Sequence, residues 1–384
     1  MRRTLFEADH EDFRATVREF VSREVLPNLE MWDRDRLIGR ETWHAAGKLG
    51  LFGIAVPEEY GGGGLADYRF RCVIMEELAR ANAAALANSF TLQDDVVLPY
   101  LLSLANEKQQ QRWLRGMATG DIIGAIAMTE PAAGSDLQGI RSTAVRDGDE
   151  WVLNGSKTFI SNGINSDIVI VLCRTNEGRS STALSLLVVE RDMPGFERGR
   201  KLRKLGLNAQ DTAELFFTDV RVPAANLLGE EGKGFGYLMT NLPVERISVA
   251  YQALAASRAA IAWTLEYIKE RTAFGKSLSS FQNTQFEIAD MVTKLDVFET
   301  YMDKSVTALN AGELTPVDAA KGKYLGSELQ KEIVDRCLQL FGGYGYMLEY
   351  PIARAYADAR VQTIYGGTSE IMKTIIGRDV IGKC

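Results

Sequence analysis

The sequence predicts a mainly α-helical protein with a central β domain. Two observations carry this expectation. Apolar residues recur at helical spacing up to about residue 120, fall into short β-branched and aliphatic runs from about 122, and return to helical spacing after about Gly229. No internal repeat and no low-complexity linker interrupts that order, which argues for one integrated α+β unit. The expected division is 1–121 helical, 122–228 β and 229–384 helical. A chain of 384 residues is long enough for a large core shared by two or three packed subdomains.

The elements follow in order. Phe13, Val17, Phe20 and Val21 form a helical stripe that begins almost at the N-terminus, and Pro27 breaks or kinks it. Further helices are expected over Glu41–Leu49, Tyr68–Arg80 and Glu107–Ala118, with Gly61–Gly64 a loop. Thr143–Val145 and Trp151–Leu153 flank the turn signal Asp147-Gly148-Asp149, and Asn154-Gly155 predicts a second hairpin turn. Strands are expected at Ile168–Cys173, Leu184–Glu190 and Ala213–Val222, the last closed by Pro223. Together they make five or more strands, a small barrel or a sandwich. Ile247, Tyr251, Leu254, Ile261, Leu265 and Ile268 then mark one face of a long helix. Phe281–Asn310 and Thr315–Phe341 predict two more, the second with Thr315 as N-cap and Pro316 at its first position. Gly342-Gly343-Tyr344-Gly345 ends that helix, and a last one starts at Thr368.

Composition excludes several classes. A net charge of -7 argues against a nucleic-acid partner. The four cysteines, Cys72, Cys173, Cys337 and Cys384, form no C-x-x-C pair, and the only histidines are His10 and His44. A zinc site, another metal site or a Ser-His hydrolase is therefore not expected. No apolar run reaches the roughly 20 residues of a membrane span. The N-terminus lacks a signal peptide's apolar region, so a cytoplasmic location is expected, or an organelle matrix if a presequence has been removed.

Five motifs carry the functional reading. They are Ile126-Ala127-Met128-Thr129-Glu130-Pro131-Ala132-Ala133-Gly134-Ser135-Asp136, Phe159-Ile160-Ser161-Asn162-Gly163, Arg271-Thr272-Ala273-Phe274-Gly275-Lys276 with Phe281-Gln282, Gln339-Leu340-Phe341-Gly342-Gly343-Tyr344-Gly345, and Gln362-Thr363-Ile364-Tyr365-Gly366-Gly367-Thr368-Ser369-Glu370-Ile371-Met372. Taken singly, each has a structural reading: a tight loop after a strand, a core aromatic before a turn, a solvated arginine, a helix stop and an N-cap. Each also has a chemical one. Small residues let backbone N–H groups approach an acceptor-rich ligand, arginine forks onto oxyanions, and a helix N-terminus receives an anion.

In order and spacing these motifs resemble the acyl-CoA dehydrogenase family over nearly the whole chain. The likeness is strongest to its long-chain branch, through Lys204-Leu205-Gly206-Leu207, Gln210-Asp211-Thr212-Ala213-Glu214-Leu215-Phe216-Phe217 and Glu349-Tyr350-Pro351-Ile352-Ala353. The resemblance implies an N-terminal helical domain, a β-barrel-like middle domain and a C-terminal four-helix bundle. It implies FAD as cofactor, an acyl-CoA thioester as substrate, electron-transfer flavoprotein as electron acceptor, and a homotetramer. The cofactor residues so implied are Ala127, Met128, Thr129, Gly134, Ser135, Phe159, Ile160 and Ser161, with Gln339, Leu340, Gly342, Gly343, Thr368, Ser369 and Glu370. Arg271, Phe274, Phe281 and Gln282 belong with them, Arg271 reaching the flavin of a neighbouring subunit. Ser135, Leu242, Val244, Arg246 and Gly367 are implied for substrate, with a pocket floor near Asn88–Asp95 and Met239–Val244.

One departure is informative. Many members of the family carry a catalytic glutamate after the loop tyrosine, and here that residue is Gly366. Gly366 can still donate its backbone N–H to a thioester oxygen, but it cannot take a proton. Glu245, in Leu242-Pro243-Val244-Glu245-Arg246, resembles the base that the long-chain and isovaleryl branches place on the long helix. The structural alternative is a carboxylate beside a helix N-terminus. Three other functions stay open at this point: a dehydrogenase of an acyl group on a carrier protein, an oxidase using O2, and a flavoprotein scaffold without chemistry.

Overall fold

The computed structural model describes residues 3–176 and 181–382, which leaves Cys384 outside the described residues. Seven helices come first: α1 (Ala8–Phe20), α2 (Leu29–Asp35), α3 (Arg40–Lys48), α4 (Arg69–Arg80), α5 (Ala84–Thr91), α6 (Leu98–Leu104) and α7 (Glu107–Thr119). Pro27 sits in a short 3-10 turn between α1 and α2. A π-helical stretch, Leu92–Val97, joins α5 to α6, and Pro99 occupies the first turn of α6, where a missing N–H is tolerated.

Eight strands follow: β1 (Gly124–Ala127), β2 (Thr143–Asp147), β3 (Glu150–Ser161), β4 (Ile168–Arg174), β5 (Leu184–Glu190), β6 (Phe196–Lys201), β7 (Thr212–Pro223) and β8 (Leu227–Leu228). They form one sheet in the order β6-β7-β3-β2-β4-β5-β8, with β1 parallel to β4. One face packs on itself: Trp151, Leu153, Val169, Val171, Leu187, Val189, Leu215 and Val220 share a core built from strands. The opposite face places Ile168, Ile170, Leu172, Leu186 and Val188 against residues of α6 and α7. Alternation of side chains along β4 and β5 feeds both cores, and both strands are buried almost throughout.

The expected turn at Asn154-Gly155 is not a turn. β3 runs straight through it, and the register against β7 shifts between Leu153 and Gly155. The real turn is the earlier one, after Asp147, where Gly148 has φ 60°. Gly155 is needed because a Cβ there would lie 2.3 Å from the Ser142 hydroxyl. Asn154 bonds Asp219 across the strands instead of closing a hairpin.

The chain ends in a helical bundle of α8 (Gly234–Glu270), α9 (Gln282–Asn310), α10 (Pro316–Phe341), α11 (Pro351–Ala359) and α12 (Ser369–Ile381). A small hairpin of β9 (Thr272–Ala273) and β10 (Lys276–Ser277) follows α8. The Thr315 and Thr368 hydroxyls cap α10 and α12 by accepting from Asp318 N and Ile371 N. α8 is the spine: α4, α9 and α10 pack along it, and Ile247, Tyr251, Leu254 and Ile261 enter the main apolar core. Arg3 ties the N-terminal segment to this spine through Glu76, Asp303 and the Tyr251 hydroxyl.

A buried ion pair sets the exit of β1. The Lys157 ammonium uses all three donors, on Met128 O at 3.1 Å, Glu130 Oε1 at 2.9 Å and Leu172 O at 2.6 Å. Glu130 also accepts from Arg141 N, Ser142 N and the Ser142 hydroxyl. Removing one partner strands the other charge in the core. Lys157→Met is expected to lower unfolding free energy by about 3–5 kcal/mol, read by urea denaturation. A loss below about 1 kcal/mol would show that the pair is not a structural strut.

Candidate active site

The loop after Tyr365 opens on two glycines. Gly366 and Gly367 have φ of 63° and 97°, the left-handed region that side chains disfavour. A Cβ on Gly366 would stand 3.7 Å from Val249 Cγ2, so the loop rests on α8. Val249 lies one turn beyond Glu245 on the same helix face. Arg246, the residue after Glu245, donates from Nε to Gly366 O over a long 3.4 Å. Lys323 of α10 donates to Gly367 O at 2.6 Å. Tyr365 accepts from Asn88 Nδ2 of α5 at 3.2 Å and donates to Gln362 Oε1 at 3.0 Å. α8 and α10, with α5 through Tyr365, thus fix the two glycines beside the turn of α8 that carries Glu245.

Glu245 is buried, and its Oε1 accepts from the Tyr100 hydroxyl of α6 at 3.0 Å. Burial pushes its carboxyl up to about 7, against the smaller opposing pulls of the Tyr100 bond and the neighbouring Arg246. Burial likewise pulls Arg246 below its ordinary value and brings Lys323 down to about 8. A carboxyl near 7 is half ionised at neutral pH, which suits a group that must take a proton and later release it.

The implied flavin residues fall at three places. The first is the sheet. Ala127 ends β1, Met128 and Thr129 leave it half-buried, and Gly134 and Ser135 are exposed. Thr129 O accepts from Thr158 N, linking the loop to β3. A register shift between Lys157 and Ile160 lifts Phe159 out of the ladder. Phe159 has φ 59° and is 68% exposed, whereas Ile160 is buried and Ser161 half-buried. An aromatic held in a strained conformation and presented outward is what a stacking platform for a planar ring requires. These residues fit a flavin.

The second place is the start of α12, beside the glycine loop, where Thr368 caps the helix and Ser369 donates to Glu328 at 2.7 Å. Glu370 is exposed there. The third lies at the far end of α8. Arg271 stacks over Tyr344 at 5.6 Å, Phe274 meets Phe281 edge-on, and Gly342 and Gly343 are exposed below Gln339 and Leu340. Gln282 begins α9 close by. Phe274 repeats the pattern of Phe159, with φ 52° and 95% exposure. At 1.5 Å rise per residue, Arg271 is roughly 39 Å from Glu245 along α8. Of the implied substrate residues, Arg246 and Gly367 join the glycine cluster, Leu242 is buried and Val244 half-buried on the adjoining turn, and Ser135 stands with the first group.

Sequence reading missed three residues in and around this site, Tyr100, Lys157 and Lys323. Tyr100 belongs to no motif. The Lys157–Glu130 pair joins a strand to a loop 27 residues away. Lys323 did leave a signal, as the one charge within the buried stripe Ala319, Ala320, Gly326, Ser327 and Gln330 of α10. Among the described residues no group of three or more potential metal ligands converges, and no helix is long and apolar enough to cross a membrane.

Comparison with known proteins gives consistent matches along the chain. Family models described as acyl-CoA dehydrogenase N-terminal, middle and C-terminal domains match residues 7–121, 125–220 and 232–381. The mitochondrial long-chain specific acyl-CoA dehydrogenase of Sus scrofa is 48% identical over 381 residues, covering 99% of this chain and 88% of that one. The crystal structure of acyl-CoA dehydrogenase from Geobacillus kaustophilus superposes with a TM-score of 0.95 at 46% identity, covering 98% of each chain. A glutaryl-CoA dehydrogenase from Mycobacterium smegmatis, in complex with FADH2, superposes with a TM-score of 0.92 at 31% identity, covering 99% of this chain and 96% of that one.

Holding Glu245 protonated has a consequence for stability. Its folded value of about 7 lies above the ordinary 4.5. The group therefore contributes most below pH 4.5, and that contribution is lost as pH rises through about 7. At pH 8, Glu245→Gln is expected to be more stable than the wild type by about 3 kcal/mol. The difference is expected to close at pH 4.5 and below. Chemical denaturation of both proteins across pH 4–8 measures it, and a pH-independent difference would refute the buried carboxyl.

Proposed function

The chain belongs to the acyl-CoA dehydrogenase family, and from that membership we propose that it converts a fatty acyl-CoA to the trans-2-enoyl-CoA with Glu245 as the base. It is an FAD-dependent oxidoreductase. The observation that carries the base assignment is the placement of Glu245: a buried carboxyl near pH 7, one helical turn from the residue on which the loop glycine rests.

FAD, when bound, supplies the acceptor for the hydride that leaves the β-carbon. The chain's residues do the rest. Glu245 Oε takes the α-proton, and the electron pair of that C–H bond becomes the new C=C bond. The Gly366 N–H donates to the thioester oxygen as enolate charge builds there, a role that needs backbone alone. Arg246 and Lys323 hold the carbonyls of Gly366 and Gly367, which anchors the turn immediately after that N–H. Leu242 and Val244 face the acyl chain, Ser135 the CoA moiety, and the flat surface of Phe159 packs on the cofactor. Electrons then leave to an electron-transfer flavoprotein. The assembly is a homotetramer, in which Arg271, Phe274, Phe281, Gln282, Gln339, Leu340, Gly342 and Gly343 complete a neighbour's cofactor site. The separation along α8 supports this, because one cofactor held beside Glu245 is far from Arg271 on the same chain.

Anaerobic flavin bleaching with a panel of acyl-CoA thioesters, and the same acyl groups on carrier protein, tests the reaction. Glu245→Gln is expected to bleach about 10³-fold more slowly. Equal rates would sink the base assignment, and bleaching by carrier-bound substrates alone would replace CoA in the proposal.

The subunit assignment has its own test. Arg271→Glu and Glu245→Gln chains are each expected to be inactive alone, and coexpressed mixtures are expected to regain activity. Mixed oligomers that stay inactive would place Arg271 in its own chain's site.

A further inference from the structure

Resting on the reading of Glu245 as base, we propose that Tyr100 is the positioning residue that holds its carboxylate and keeps it ionisable. Tyr100 is fully buried, and Glu245 Oε1 is the hydrogen-bond partner of its hydroxyl, at 3.0 Å. The residue stands on α6, whose N-terminal turn is fixed by the π-helical stretch before it, while Glu245 stands on α8. The bond therefore sets where the carboxylate points across a helix–helix contact. Ser248, a turn further on, bonds the Glu245 carbonyl and leaves the carboxylate to Tyr100.

A donor to the charged form favours it, so Tyr100 opposes the burial that would otherwise neutralise the base. Little else faces Glu245. Arg246 is the adjacent charge on α8 itself. Asp94 and Asp95, on the stretch packed against α8, are paired with Arg71. Lys323 of α10 turns to Gly367 O, Glu76 of α4 to Arg3 and Arg14, and Glu299 of α9 to Arg258. Asp358 of α11 accepts from Leu207 N. Glu190 of β5 bonds Arg112 and Trp113, Lys276 of β10 lies over Phe281, and α5 offers Asn88, which bonds Tyr365.

The test is the pH profile of kcat/KM for FAD-loaded Tyr100→Phe beside wild type and Glu245→Gln. Loss of a hydrogen bond to a charged group is expected to raise the apparent base pKa by about one to two units. Activity at pH 6 then falls about 10–100-fold and recovers to near wild type at high pH. Fluorotyrosine at position 100, a stronger donor of the same shape, is expected to move the profile the opposite way, and it serves if the phenylalanine variant folds poorly. Carbon-13 NMR of carboxyl-labelled glutamate, with Glu245→Gln assigning the signal, reads the same shift without turnover. An inactive Glu245→Gln with an unshifted Tyr100→Phe profile would overturn the role of Tyr100 alone. A Glu245→Gln as active as wild type overturns both readings.

Discussion

Desolvation of one carboxyl governs this molecule. Glu245 lies buried inside a helix contact, and the fold must hold a group there that prefers to be solvated when charged. The surrounding structure supplies what that requires. α8 is a single 37-residue helix, and Pro243 inside it removes an N–H two residues before Glu245. α4, α9 and α10 clamp the helix along its length, so the local weakness is held in place by packing on several sides. The same clamp places Val249 under Gly366 and Arg246 against its carbonyl. The carboxyl and the backbone donor are therefore positioned by one rigid element, and geometry between them does not depend on a free loop.

Most of the frame could be read from residues alone, for physical reasons that differ by element. The long helices announce themselves through a sustained period, and Thr315 and Thr368 mark starts because a hydroxyl there satisfies an otherwise unpaired backbone N–H. α5 and α6 were not legible. α5 is buried on nearly every side, which erases the periodic contrast, α6 is only seven residues long, and the π-helical stretch between them shifts the phase. Asn154-Gly155 misled because the dipeptide permits a turn but also serves a bulge. Only the approach of Ser142 from the neighbouring strand decides which.

The site was legible where chemistry rests on backbone and illegible where it rests on long-range pairing. Gly366 and Gly367 can be picked out because two successive glycines before a capped helix suggest unusual backbone angles. Tyr100 and Glu245 are 145 residues apart, and Lys157 and Leu172 belong to different strands. Nothing local to either partner records such a contact. The glycine in place of a loop carboxylate was still informative, since it pairs with a helix glutamate that resembles the base of the long-chain and isovaleryl branches. That pairing pointed to Glu245 but not to the Tyr100 hydroxyl that bonds its carboxylate.

Backbone strain offers an independent line to the cofactor surface. Seven described residues other than glycine have positive φ: Arg36, Asn82, Phe159, Asn162, Leu207, Asp219 and Phe274. Asparagine and aspartate accept this conformation readily, but a phenylalanine in it costs about 1–2 kcal/mol. Two phenylalanines carry it, and both are exposed, although Phe274 meets Phe281 of its own chain edge-on. One stands at the lip of the sheet and the other beyond the end of α8. Leu207 offsets the same cost by burial within the chain, whereas the two exposed phenylalanines leave most of their surface free for contact with something outside it. In the proposed assembly a planar cofactor would cover Phe159, and a neighbouring subunit's cofactor site would meet Phe274. In that arrangement the strain belongs to the assembled enzyme rather than to the single chain.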